Sequence, residues 1–286
     1  MSQGRLPFLF IIFTVMLDAM GIGLLMPVLP ELVQTLTGGS VAEAAQWAGL
    51  IAFTYAGMQF LCGPALGALS DRYGRRPVIL ASILGMGCAY LLMGFAQSII
   101  VLFIARLISG ITGATFSVAN AFMADISAPD KRAANFGLIG LGFGLGFIFG
   151  PALGGWLGQY GYQAPIFAAA ALAFANLIFG YFIMPETLKS SRPFEWKEAD
   201  PIRALMKVKS LPGLGPLLLV LFVYTIAHNI YPAIWSFFVI ESFAWSTGMV
   251  GASLAAFGVC MAAVQGGLMR LILKWIGDRK TAMFGL

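Results

Sequence analysis

The sequence predicts an all-α polytopic membrane protein, and three observations lead to that prediction. Of the 286 residues, 59% are hydrophobic and only 10% are charged, whereas soluble globular proteins carry about 25% charged residues. The apolar residues form runs of about 20, the length that a helix needs to span a bilayer. The basic residues lie in alternate connections between these runs, as expected of segments kept on one side of a membrane.

Eight runs are long and apolar enough to be spanning helices. In chain order, the predicted spans are Leu6–Leu29, Ala45–Leu69, Pro77–Ala96, Ile99–Ala124, Asn135–Leu157, Ile166–Met184, Leu217–Ile240 and Val250–Leu273. A ninth begins at Thr281. The first run is longer than the apolar core of a secretory signal, about 7–15 residues, so we interpret it as a retained helix.

The basic residues orient these spans. With the N-terminus inside the cell, every Lys and Arg except Arg106 lies in the tail, in an inner connection or at the inner end of a span. The only charged residues in the outer connections are three acids, Glu31, Glu43 and Glu241. The positive-inside bias therefore predicts a cytoplasmic N-terminus.

The longest connection divides the chain into a six-helix bundle (residues 1–184), a cytoplasmic linker (185–216) and part of a second bundle (217–286). Within the linker, the segment Pro201 to Val208 is predicted to be either a short amphipathic helix on the membrane surface or part of a solvated linker. Gly67–Arg76 and Gly266–Lys280 share a glycine, a basic cluster and an Asp-Arg pair. Such repeats are common in transporters, and they predict that this chain is a fragment with an incomplete second unit.

Two charges lie inside predicted spans. A carboxylate such as Asp18 costs on the order of 2.5–3.5 kcal/mol at the centre of a bilayer, so it should face a bundle interior or a water-filled cavity. At about 1.5 Å per residue, Asp18 and Arg106 lie about 18 Å and 20 Å from the inner side. They form either a site that loads and releases a proton or a fixed ion pair that fastens two helices.

Polar and small residues form patterns in the fourth, fifth and seventh predicted spans. Five lie along one line of the fourth helix, which favours either a polar path or close helix packing: Arg106, Gly110, Gly113, Ser117 and Asn120. Five glycines recur at every fourth position of the fifth helix, with Pro151 among them, and predict a close-packed, bendable helix: Gly142, Gly146, Gly150, Gly154 and Gly158. The only histidine, His228, either joins a proton path or bonds a neighbouring helix. No spacing indicates a metal site, a nucleophile–base pair or a phosphate-binding loop.

The segment Gly67–Leu80 (GALSDRYGRRPVIL) is a charged island between two apolar runs. It predicts a tight connection that pins two helices at one water interface. This motif resembles the loop between the second and third helices of the major facilitator superfamily. Likewise, RLISGITGA from Arg106 resembles that superfamily's fourth-helix motif, GFGLGFIFGPALGG from Gly142 the fifth-helix motif of its drug:proton antiporters, and LDAMGIGLLMPVLP from Leu17 the first helix of tetracycline-efflux proteins.

The resemblance implies a twelve-helix, two-bundle transporter, and not an enzyme, in which proton influx drives the efflux of a drug-like or tetracycline-like molecule by alternating access. It implies a multi-pass monomer in the bacterial inner membrane, with a proton as coupling ion, no other cofactor and no nucleic acid partner. The alternatives are a carrier for another solute, such as a metabolite or sugar, and a truncated chain without transport activity. Tetracycline-efflux proteins commonly carry an acidic residue in the third helix, where this chain has Ala89.

The resemblance also assigns roles to residues. Asp18 would lie in the proton or substrate path and Arg106 would take part in proton coupling. The predicted path also includes Gln59, Asn120 and His228, which are chosen as polar residues inside the spans. A cytoplasmic gate would comprise Asp71, Arg72, Gly74, Arg75, Arg76 and Asp125, with Asp125 a partner of Arg75. The antiporter helix would use Gly142, Gly146, Gly150, Pro151, Gly154 and Gly155.

Overall fold

The computed structural model describes residues 5–113, 115–188, 199–209 and 214–264, together with residues 274, 275 and 277. Within these residues every regular element is a helix, which confirms the all-α prediction. The helices are α1 Arg5–Leu25, α2 Leu29–Thr37, α3 Val41–Tyr73, α4 Arg75–Gly94, α5 Ile99–Thr112, α6 Thr115–Ile126, α7 Arg132–Gly158, α8 Gln163–Ile183, α9 Pro201–Lys209, α10 Leu214–Phe243 and α11 Thr247–Ala263.

Seven stretches of the described chain are long and apolar enough to cross a membrane. They correspond to α1, α3, α4, α5 with α6, α7, α8 and α10. The eighth predicted span begins as the shorter apolar helix α11, and its continuation after residue 264 lies outside the described residues. The ninth predicted span and most of the second repeat copy, Gly266–Lys280, lie outside them as well, and the division at residues 185–216 stays a prediction.

The first span is shorter than predicted. We expected it to reach Leu29, but α1 ends at Leu25 and a separate helix, α2, begins at Leu29. Proline explains the break, because Pro27 has no N–H to continue the α1 hydrogen bonds. Pro30 lies in the first turn of α2, where a proline is tolerated.

The charged island is almost entirely helical, which corrects the predicted connection. A capping box of Ser40 and Glu43 starts α3 four residues before the predicted Ala45, and α3 continues to Tyr73. Only Gly74 separates it from α4. Gly74 has a φ of 106°, which glycine adopts without the steric cost of a side chain.

The fourth span comprises α5, which ends at Thr112, and α6, which begins at Thr115. Residue 114 lies outside the described residues. The N–H of Gly113 donates to the Ser109 carbonyl at 2.7 Å, with the four-residue spacing of an α-helix. The Thr112 hydroxyl donates to the Ile108 carbonyl at 2.9 Å.

The short helix in the linker is present as α9. The Asp200 carboxylate accepts the N–H groups of Ile202 and Arg203 at 2.9 and 3.3 Å and so caps the helix. Three large apolar side chains of α9 are exposed: Ile202, Leu205 and Met206. The rest of this connection, residues 189–198 and 210–213, lies outside the described residues, and contact of α9 with the membrane surface stays a prediction.

The bundle is built around α1. Helix α7 lies along one side of α1 and α8 along another, while α4 packs between α8 and α5. Helix α11 packs on the opposite side of α7. Helices α6, α7 and α8 contact α1 directly. Asp18, in the middle of α1, therefore lies inside the bundle.

Candidate transport cavity and gate

A cavity of about 540 Å³ opens in the middle of the bundle. That volume lies within the range of small-molecule sites, roughly 300–1,000 Å³. Its lining residues come from α1, α3, α4, α6 and α7, together with Gly113 just after α5: Val15, Asp18, Ala19, Ile22, Tyr55, Gln59, Gly63, Met86, Gly113, Ser117, Gly140 and Phe143. The surface is largely apolar, with a few polar groups, as expected of a site for an amphiphilic small molecule.

Asp18 carries the only carboxylate among the described cavity-lining residues. Its side chain is half-buried, and within the described part of the chain no Lys or Arg nitrogen lies within 4.0 Å of it. Of the two interpretations of Asp18 and Arg106, the fixed ion pair is therefore not formed in this structure.

Arg106 is buried beside the cavity, with 9% of its surface exposed. Its guanidinium carbon lies 5.9 Å from the centre of the Tyr55 ring, and its Nε is buried without a hydrogen-bond partner among the described residues. Tyr55 and Tyr90 both lie within electrostatic range of Arg106 and of Asp18. Asp18 and Arg106 therefore have the same two tyrosines as neighbours, but they form no ion pair with each other.

Sequence reasoning missed both tyrosines. Tyr55 lies inside a span, away from the membrane interfaces where tyrosine is enriched. This unusual position is the one feature of the sequence that could have indicated a role in the cavity. The hydroxyl of Tyr90 lies where a side chain on Gly21 would project, one turn along α1 from Asp18. Tyr90 therefore connects α4 to the helix that carries the carboxylate.

Gln59 joins α3 to Gly113, just after α5. Its Nε2 donates to the Gly113 carbonyl at 2.9 Å and to the Tyr55 hydroxyl at 3.3 Å. Gln59 therefore orients Tyr55 in the cavity wall.

The residues of the polar line along the fourth span have different surroundings. A side chain on Gly110 would come within 2.6 Å of the Tyr55 carbonyl oxygen, so Gly110 permits close packing against α3. Gly113 and Ser117, by contrast, line the cavity. Asn120 lies one turn beyond Ser117 on α6 and is half-buried.

A second charged cluster lies where α3 meets α4, at the end of the bundle that carries the basic residues. Arg75 is 8% exposed, and its Nη2 lies 2.5 Å from an Asp71 oxygen while its Nε lies 3.2 Å from an Asp125 oxygen. Its Nη1 donates to the Ser70 hydroxyl at 2.5 Å. The structure thus brings Asp71, Arg75 and Asp125 together, as the resemblance implies.

Glu186, just after α8, completes this cluster and was not predicted. Its carboxylate accepts the backbone N–H groups of Arg75 at 2.9 Å and Arg76 at 3.1 Å. These are unsatisfied donors of the first turn of α4, where a negative charge also meets the positive end of the helix dipole. The neighbouring Thr187 hydroxyl donates to Asp125 at 3.3 Å. Nothing local in the sequence links Glu186 to a helix start 111 residues earlier.

Two further residues of the predicted gate, Arg76 and Arg72, have contacts of their own. Arg76 donates from Nη2 to the Tyr181 carbonyl at 2.7 Å, which ties the start of α4 to the end of α8. The guanidinium of Arg72 lies 5.0 Å from the Tyr73 ring. His228 lies in α10, and its side chain is outside the described residues.

The glycines of α7 allow contact with two helices. Four lie directly against the backbone of α1: Gly142, Gly146, Gly150 and Gly154. A side chain on Gly150 would come within 2.7 Å of the Met20 carbonyl oxygen. Gly155 turns toward α11, where a side chain would come within 2.8 Å of the Gly251 Cα. The spacing of glycines therefore predicts close packing that the structure shows, and α7 runs unbroken through Pro151.

Comparison with known proteins identifies the family. Residues 11–286 match the sequence model described as Major Facilitator Superfamily. The chain belongs to this superfamily of membrane transporters. It is 40% identical over 277 residues to the Escherichia coli tetracycline resistance protein of class C, covering 96% of this chain and 69% of that protein. It is 36% identical to the class B protein of the same organism, covering 94% and 67%.

Among solved structures, the chain is similar to that of the human organic anion transporter MFSD10. The TM-score is 0.73 and the sequence identity is 26%, over 93% of this chain and 72% of the human protein. These matches confirm the superfamily fold that the sequence motifs resemble.

Proposed function

We propose that this protein is a proton-coupled secondary transporter that exports a drug-like or tetracycline-like molecule across the bacterial inner membrane by alternating access. Relatives at 36–40% identity are named tetracycline resistance proteins. The observation that carries the proposal is Asp18, a carboxylate that lines the central cavity without a cationic partner among the described residues. A membrane carboxylate in that position is typical of a proton path.

In this mechanism Asp18 alternates between a charged and a protonated form. A charged carboxylate in an apolar cavity favours an incoming proton or a cationic group, and protonation removes that preference. Proton entry and substrate release are therefore coupled at one site. Each ligand needs a different affinity for the two conformations in order to drive the cycle.

The Arg75 cluster acts as the gate of this cycle. With the N-terminus in the cytoplasm, the basic end of the bundle faces the cell interior. Its contacts with Asp71 and Asp125 would hold one arrangement closed on that side and break in the other. No cofactor beyond the coupling proton enters this scheme, and the working unit is a monomer.

A second candidate function is the transport of another solute. The similarity to a human organic anion transporter and the buried guanidinium of Arg106 support a carrier for anionic metabolites. A chain that does not transport at all is the third possibility. These functions differ in what drives uptake and in which solutes are taken up.

Proteoliposomes containing the protein, with an imposed pH gradient, test the proposal. Addition of tetracycline should release protons from the acidic side, and Asp18→Asn should abolish that release. Asp130→Asn, which changes an exposed acid near the basic end, is the matched control and should retain it. Gradient-independent uptake of an organic anion, or release unchanged by Asp18→Asn, would contradict the proposal.

A further inference from the structure

The electrostatic surroundings of Arg106 leave its charge incompletely satisfied. A guanidinium stays protonated in proteins, so burial does not neutralise it. Within the described part of the chain no carboxylate oxygen lies within 4.0 Å of Arg106, and its buried Nε has no acceptor there. A buried charge without a partner is costly.

Its nearest groups compensate only in part. The centre of the Tyr55 ring, 5.9 Å from the guanidinium carbon, offers a cation–π interaction, which is weaker than a hydrogen-bonded ion pair. The phenols of Tyr55 and Tyr90 add dipoles but no negative charge. Arg75 shows the contrast, because it is equally buried and contacts two carboxylates. The protein therefore pairs one buried arginine and leaves the other with donor capacity.

Tyr55 links that donor capacity to the cavity. Arg106 is not itself a lining residue, but Tyr55 lines the cavity, and the guanidinium carbon lies 5.9 Å from the centre of its ring. The remaining wall offers mainly apolar surface, including Val15, Ile22 and Met86. An amphiphilic ligand can place an apolar body against this wall and an acidic group toward the guanidinium.

We propose that Arg106 binds an oxygen anion of the substrate, a carboxylate or an enolate-type oxygen, while the apolar part of the substrate occupies the central cavity. The inference rests on the proposed function, because it takes the cavity as the transport site. Guanidinium groups form two parallel, charge-assisted hydrogen bonds to such anions. Asp18 faces the same cavity, so the preferred substrates carry an acidic group at one end and no second anion near the carboxylate.

Equilibrium binding to the purified protein in nanodiscs of neutral lipid tests this inference, with two probes of equal shape. We would measure 2-naphthoate and 2-naphthamide by calorimetry. Naphthoate should bind about tenfold more tightly, since a hydrogen bond to a charged group contributes more than one between neutral groups. Arg106→Gln should remove that preference and leave naphthamide binding within about twofold.

Two more variants keep the test decisive. Arg106→Lys retains the charge without the fork and should keep part of the preference. Arg132→Gln removes an exposed arginine at the basic end and should change neither probe. Equal binding of the two probes to the unaltered protein, no binding of either, or a preference that survives Arg106→Gln would overturn the inference.

Proton-coupled export and the anion site at Arg106 can be contradicted independently of each other. Loss of proton release on addition of drug, with the naphthoate preference intact, would contradict proton-coupled export and support the anion site. Intact proton release without any naphthoate preference would contradict the anion site alone.

Discussion

The two charged clusters of this protein are arranged in opposite ways. At the basic end, Arg75 contacts Asp71, Asp125 and Ser70, and Glu186 caps the adjoining helix. In the central cavity, the carboxylate of Asp18 and the guanidinium of Arg106 both lie near Tyr55 and Tyr90 but form no ion pair with each other. Paired charges stabilise one conformation, whereas unpaired charges are available to a proton or a substrate. This difference supports the proposed roles of a gate for the Arg75 cluster and a binding site for the cavity.

The largest effect is expected from neutralising the cavity carboxylate. Asp18→Asn should lower proton-driven drug uptake at least about 100-fold, the usual scale for loss of a proton-transfer group. Thermal stability should stay the same or rise, because the variant removes a charge that has no cationic partner. Uptake in proteoliposomes and a thermal melt of the same preparation check both parts. A destabilised Asp18→Asn variant would show that this charge is paired after all.

Breaking the gate should have the opposite effect on stability. Arg75→Ala leaves Asp71 and Asp125 facing each other and should cost about 2 kcal/mol. This is less than the 3–5 kcal/mol of a fully buried pair, because the two carboxylates are 36% and 34% exposed. Denaturant unfolding in detergent measures the loss, with Arg132→Ala as an exposed control. Equal stabilities of the two variants would remove the basis for calling the cluster a gate.

The cap on α4 should contribute less. Glu186→Gln keeps the shape of the side chain but replaces a carboxylate with a weaker acceptor, and we expect a loss of about 1 kcal/mol, in the range of helix caps. Hydrogen exchange at the Arg75 and Arg76 amides gives a local readout. Faster exchange there, with no change in α1, is the expected result. Unchanged exchange at both amides would argue against the cap.

The smallest effect is expected at the cavity wall. Tyr55→Phe removes the 3.3 Å hydrogen bond from Gln59 but keeps the ring beside Arg106. Gln59 retains the Gly113 carbonyl, so the loss of unfolding free energy should be about 0.5 kcal/mol. Tyr55→Leu also removes the ring and serves as the comparison. If both variants lose the same amount, the ring does not stabilise Arg106.

Local sequence patterns predicted the gate better than the cavity. Asp71, Gly74 and Arg75 lie within one motif, and the four-residue spacing of glycines in α7 is a direct consequence of helical geometry. Glu186 reaches α4 from a distant part of the chain, and no local pattern indicates such a contact. The charged residues of the island predict a connection outside the helices. In the structure Gly74 alone makes the turn between α3 and α4.

The cavity depends on how helices are placed relative to one another. Asp18 was identified because a carboxylate is costly in a bilayer. Its surroundings, Tyr55 and Tyr90, come from α3 and α4, and their proximity follows from tertiary packing. The hydrogen bond from Gln59 to the Gly113 carbonyl joins residues 54 positions apart in the chain, so it follows from tertiary packing as well. Such features appear in the sequence only as single polar residues inside apolar spans.

The contrast between paired and unpaired charges is tested most directly by two double-mutant cycles in unfolding free energy. One cycle combines Arg75→Ala with Asp125→Asn, and the other combines Arg106→Gln with Asp18→Asn. We predict a coupling of at least about 1 kcal/mol for the gate pair and below about 0.5 kcal/mol for the cavity pair. A cavity coupling equal to or larger than that of the gate would show a structural ion pair between Asp18 and Arg106, and would contradict the account.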